Sequence, residues 1–93
     1  HPKTLIEAMS CGLPVLGADS PGIRGVIEHG RTGWLCGTDA GSLRGAIAHL
    51  LGNPNLCREL GSRGRSFVTE NYSLNQIAEM ERAVIAEVRQ KAS

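Results

Sequence analysis

The chain has 93 residues, 41% of them hydrophobic and 20% charged, with a formal net charge of +1. That length holds one domain at most, with a modest core. The near-neutral balance argues against a general attraction to nucleic acid, and no apolar run reaches the length of a membrane span.

The first third alternates helix and strand signals closely, as an α/β unit with parallel strands does. Pro2 lacks an N–H and disfavours helix before it, so it marks a helix start. Thr4-Leu5-Ile6-Glu7 has capping-box spacing, and Leu5, Ala8 and Met9 share one apolar face. Gly12 is the expected stop. Pro14-Val15-Leu16-Gly17-Ala18 is apolar without alternation, which suits a strand covered on both faces. Asp19-Ser20-Pro21-Gly22 is a turn that caps the next helix or meets a ligand beyond the strand's carboxyl end. Ile23, Val26 and Ile27 give that short helix its apolar face, with Glu28 near its end. His29-Gly30-Arg31-Thr32-Gly33 reads as a turn with a solvated histidine, and Trp34-Leu35-Cys36 as the second strand.

From about Ala40 the pattern becomes helical. Leu43, Ile47, Leu50 and Leu51 form one stripe, from which His49 is excluded. Gly52-Asn53-Pro54 breaks this helix, and Pro54 suits the first position of the next. Leu56, Leu60, Phe67 and Val68 supply the apolar side of that helix, while Gly61 and Gly64 weaken it unless they serve close packing. Ser73-Leu74-Asn75-Gln76 is a capping box that starts a final helix with Leu74, Ile77, Met80, Val84 and Val88 as its stripe.

Arg58, Arg63 and Arg65 cluster, and a solvated helix face accounts for them. Cys11, Cys36 and Cys57 fit no zinc or redox spacing. Their odd number, with no secretory segment, argues for reduced thiols in a cytoplasmic setting, with Cys11 a small buried residue. Asn71-Tyr72-Ser73 matches a glycosylation sequon by chance.

The chemistry concentrates at the first helix. A helix amino end presents free N–H groups and partial positive charge, which together can hold phosphate oxygens. Glu7, one turn in, offers two acceptor oxygens to a ribose diol. The competing reading is plain: Thr4 and Glu7 satisfy each other's backbone donors and bind nothing.

The stretch HPKTLIEAMSCGLPVLGADSPGIRGVIEHGRTGWL resembles the donor-site segment of the family-4 retaining glycosyltransferases of the GT-B type. Their signature pairs two glutamates with seven residues between them, then an Ala-Met, a Cys-Gly-Leu-Pro-Val strand start and a glycine-containing loop. Glu7 matches the second glutamate; the first would fall two positions before His1. At Gly25 the family often carries another acid. The likeness continues more loosely through Tyr72 and the last helix.

The resemblance implies a partial Rossmann-like domain over residues 1–93, the C-terminal nucleotide-sugar-binding part of a two-domain enzyme. Glu7 would bind the ribose hydroxyls of a nucleotide-sugar donor. The amides of Lys3 and Thr4 would face its diphosphate, with Lys3 as an added cation. It implies retention at the anomeric carbon, no cofactor, no dedicated metal, and stabilisation of the departing diphosphate by N–H groups. No residue of this chain is assigned as catalytic. The parent would act in polysaccharide or glycoconjugate synthesis, in the cytoplasm or peripheral to the membrane.

The chain starts without Met inside what reads as a loop, so a truncated piece with its N-terminal Rossmann-like domain missing is the expectation. Such a piece is expected to lack transferase activity. Two strands cannot bury three amphipathic helices, so it self-associates or belongs to a larger folded unit. The alternative is a non-catalytic α/β remnant or an oligomerising module.

Overall fold

The computed structural model describes residues 3–79. Helix α1 (Lys3–Ser10) leads into strand β1 (Leu16–Ala18), and helix α2 (Pro21–Arg24) into strand β2 (Trp34–Cys36). Two longer helices follow, α3 (Ala40–Leu51) and α4 (Pro54–Asn71), and residues 74–79 are again helical. The architecture is α/β. The expected stripe residues Met80, Val84 and Val88 lie outside the described residues.

The strands pair in parallel, with Leu16 opposite Trp34, Gly17 opposite Leu35 and Ala18 opposite Cys36. Parallel neighbours need a crossover, and residues 19–33 supply it around α2. The first strand is shorter than its apolar run. Pro14 has no N–H to give a ladder, although the carbonyl of Val15 still accepts the Trp34 N–H at 2.9 Å.

The core joins Ile6 and Met9 of α1, Val15, Val26, Ile27 and Val68 of α4. Leu35, Phe67, Tyr72 and Ile77 pack around it. Val26 and Ile27 are buried as expected, yet α2 stops before them: Gly25 is the C-cap, and the two residues enter the core from a turn. Glu28 therefore belongs to that turn, where it pairs with Arg31 at 3.6 Å.

The glycines of α4 let its backbone approach others. A Cβ on Gly61 would stand 2.1 Å from the Gly12 carbonyl oxygen, and one on Gly64 2.9 Å from that of Thr32. Gly12 itself holds φ +77°, a conformation that favours glycine. This contact corrects the expectation for Cys11. What α4 packs against at the end of α1 is the backbone of Gly12, and Cys11 is left exposed.

Capping follows local chemistry. Asp39 caps α3, its carboxylate accepting the Ser42 N–H at 2.9 Å and the Ser42 hydroxyl at 2.7 Å. Ser73 and Gln76 form the expected reciprocal box: the Gln76 N–H donates to Ser73 Oγ at 3.1 Å, and the Ser73 N–H to Gln76 Oε1 at 2.7 Å. Asn53 precedes α4, but its amide donates back to the His49 carbonyl at 2.7 Å and so closes α3 instead.

Candidate functional site

Helix α1 opens at Lys3 with no acidic residue in its first turn. Its first N–H groups lack intrahelical acceptors by construction, so the end carries partial positive charge. Lys3 and Thr4 are both exposed there. Thr4 lies inside the helix and not at the capping position, so the Thr4–Glu7 capping box does not form in the expected register.

Glu7 follows one turn later and is half-buried. Its Oε2 is shut off from solvent and has no hydrogen-bond partner among the described residues. Ser10 donates to the backbone carbonyl of Glu7 at 2.6 Å and leaves the carboxylate alone. A buried acceptor without a donor costs about 1–3 kcal/mol, more when charged. The helix thus brings together two exposed first-turn residues, one of them a lysine, and a carboxylate whose inner oxygen has no donor among the described residues.

The second expected contact loop is taken up internally. Asp19 and Arg24 form a two-pronged ion pair, with Arg24 Nη2 to Asp19 Oδ2 at 2.9 Å. The Arg24 guanidinium holds the Asp19 carboxyl below its ordinary value. Ser20 stands at the cap of α2 without a side-chain bond, and its carbonyl accepts the Arg24 N–H at 2.8 Å.

Two arrangements escaped the sequence pattern. His29 accepts the Leu35 N–H on Nδ1 at 2.9 Å and leans, tilted, on Trp34 with ring centroids 4.3 Å apart. His49 of α3 stands 4.9 Å from the same indole. Helical periodicity, which set His49 off its stripe, carries no signal for this contact. The second is a groove of about 420 Å³ along α3, lined by Ala40, Leu43, Ile47, Ala48 and Leu51. Leu43, Ile47 and Leu51 are 44%, 43% and 79% exposed, so the predicted stripe exists but lies open. An adjoining hollow of about 260 Å³, lined by Leu16, Ala18, Cys36 and Leu43, leaves one side of the sheet partly uncovered. The strand reading of cover on both faces is corrected accordingly.

No helix of the described residues is long and apolar enough to cross a membrane. Residues 2–67 match the family model described as glycosyl transferases group 1. The chain is 43% identical over 75 residues to the N-acetyl-alpha-D-glucosaminyl L-malate synthase of Bacillus anthracis, a match over 78% of this chain and 19% of that protein. To the alpha-maltose-1-phosphate synthase of Mycolicibacterium smegmatis it is 37% identical over 81 residues, 80% of this chain and 21% of the relative. The structure resembles that of sucrose-phosphate synthase from Thermosynechococcus elongatus, with a TM-score of 0.73 and 32% identity over 97% of this chain and 23% of that one. The chain therefore spans about a fifth of the length of the relatives it matches. With more than two thirds of its residues inside the family model and a GT-B glycosyltransferase as structural neighbour, the chain belongs to the group 1 glycosyl transferases.

Proposed function

We propose that residues 1–93 are part of the C-terminal, donor-binding domain of a retaining glycosyltransferase that takes its sugar from a nucleotide-sugar. The reading rests on one observation above the rest: the buried Oε2 of Glu7 has no hydrogen-bond donor among the described residues. A ribose hydroxyl would supply that donor. The amides of Lys3 and Thr4 would face the diphosphate, where the helix end favours anions. The Lys3 ammonium adds a cation that the diphosphate can meet.

The mechanism assigned to these residues is binding and orientation. They hold the nucleoside diphosphate while negative charge develops on it as the glycosidic bond breaks, and N–H donors aimed at that charge lower the barrier. Attack, proton transfer and choice of sugar belong to parts of the enzyme outside these residues. A chain spanning about a fifth of its relatives is proposed to turn over no donor alone. An N-terminal Rossmann-like domain is the partner this reading gives it, and a cytoplasmic or membrane-peripheral setting goes with that enzyme.

Titrating the chain with uridine, guanosine and adenosine diphosphates, followed by backbone amide shifts, tests the site. The expected result is perturbation from Thr4 to Glu7 that disappears in Glu7→Ala. An unchanged spectrum at millimolar nucleotide for all three would refute it.

The open apolar stripe of α3 supports a second reading, an oligomerising module. Sedimentation across a dilution series separates the two. A chain that stays monomeric at every concentration, with cooperative unfolding, excludes self-association.

A further inference from the structure

Strand β2 gives Trp34 N–H to the Val15 carbonyl, and its Cys36 carbonyl accepts the Asp19 N–H at 2.9 Å. Alternate residues of a strand direct their backbone groups to opposite sides, so the Leu35 N–H points away from β1. Among the described residues β2 has no other neighbour in the sheet. An edge donor of this kind invites pairing with another strand. Here it is closed by a side chain: His29 Nδ1 accepts it at 2.9 Å. The same ring leans on Trp34 at an interplanar angle of 57°, and Trp34 meets His49 of α3 at 32°.

An imidazole nitrogen that accepts an N–H carries no proton, which requires the neutral ring with its hydrogen on Nε2. Protonation turns Nδ1 into a donor facing a donor. We propose that His29 is a proton-controlled clasp on the free edge of the sheet: the neutral ring closes the Leu35 N–H and steadies Trp34, and the imidazolium releases the Leu35 N–H. This stands apart from the donor-site reading, since it uses the turn before β2 and not the amino end of α1.

The charged groups around the ring come from several elements. Asp19 lies close enough for the imidazolium to favour its carboxylate, but Arg24 already engages it. Glu28 and Arg31 share the turn and pair with each other. From α4, Arg63 reaches the Gly30 carbonyl at 3.5 Å while paired with Glu59 at 3.1 Å. From α3 comes His49, the second titrating ring on the indole. Histidine alone among these changes charge between about pH 5 and 8 without a perturbed pKa.

The test is a pH titration of the ¹⁵N-labelled chain with three readings. At high pH the His29 ring is expected as the Nε2–H tautomer, with a coupling through the hydrogen bond from the Leu35 amide to Nδ1. As His29 takes up its proton that coupling should vanish, and the protection of the Leu35 amide, corrected for the intrinsic pH dependence of exchange, should fall about fivefold, the equivalent of one net hydrogen bond. His29→Phe should show the lower protection at every pH, and His49→Ala should keep the transition. Should His29→Phe fail to fold, the tautomer and the coupling in the unsubstituted chain decide alone. An Nδ1–H tautomer at high pH, or a Leu35 amide indifferent to the His29 titration, would overturn the proposal.

Discussion

The most exacting consequence of the packing concerns Gly61. In an exposed helix interior, alanine in place of glycine stabilises by about 1 kcal/mol. At Gly61 the added methyl would sit 2.1 Å from the Gly12 oxygen, 3.0 Å from the Gly12 carbonyl carbon and 3.4 Å from the carbonyl carbon of Leu13. All three obstacles are backbone, so no side chain can swing aside. Helix α4 would have to retreat from α1 by about an ångström, opening the contacts of the buried Leu60 and Val68. Overpacking of this kind costs about 1–3 kcal/mol, occasionally more. A rigid backbone obstacle places Gly61→Ala at the upper end, about 3 kcal/mol, for a net loss of about 2 kcal/mol after the helix-propensity gain. For a domain of this size that lowers the midpoint by roughly 8–16 °C. Gly45 in α3 is the internal control, because a Cβ there meets nothing within 4 Å. Thermal and urea unfolding by circular dichroism should show Gly45→Ala raised and Gly61→Ala lowered. A Gly61→Ala chain as stable as the original would refute the close-approach argument.

Further outcomes follow from the caps. Ser73→Ala should cost about 0.5–2 kcal/mol locally and speed amide exchange at Gln76, whose N–H it leaves without the Ser73 hydroxyl. The Ser42 hydroxyl and amide hold the Asp39 carboxyl below its ordinary value. Its stabilising contribution is therefore complete above the unfolded carboxylate range and drains as pH falls through the lower folded value. Asp39→Ala should be less stable near neutrality and lose stability less steeply on acidification, as followed by urea midpoints against pH.

How far each element could be read from the residues depends on whether its signal was local. The Ser73–Gln76 box, the second strand and the limits of α3 rest on neighbouring residues, and they form as the pattern implies. The turn at Gly12 does too. The early end of α2 had no such signal: Val26 and Ile27 kept helical spacing while entering the core from a turn, because burial constrains where a side chain ends and not the backbone that delivers it. The fate of Cys11 turned on α4, nearly fifty residues downstream, and the contact of His49 with Trp34 on tertiary packing. At the candidate site, spacing located Glu7 but favoured a helix cap over a ligand, and the family resemblance turned that preference round. The register of α1, which puts Thr4 inside the helix, removes the Thr4–Glu7 box and leaves the ligand reading as the proposal.

That separation can be pushed further with Glu7→Gln. If the carboxylate served the fold, removing its charge would weaken a bond and lower stability. The structure implies the opposite sign. Oε2 is buried without a donor, so the charge is a liability in the ligand-free chain. An amide of the same shape should leave the unfolding free energy unchanged or raise it by up to about 1 kcal/mol, while weakening any hydroxyl donor's grip on the site. Loss of nucleoside diphosphate binding together with undiminished stability is the signature of a residue kept for its ligand at the fold's expense. Gly61→Ala would give the reverse pairing, lost stability with binding impaired only in proportion to the unfolded fraction. A Glu7→Gln chain that melts markedly lower would mean that the carboxylate already has its partner within the protein, and the nucleotide would have no vacancy to fill.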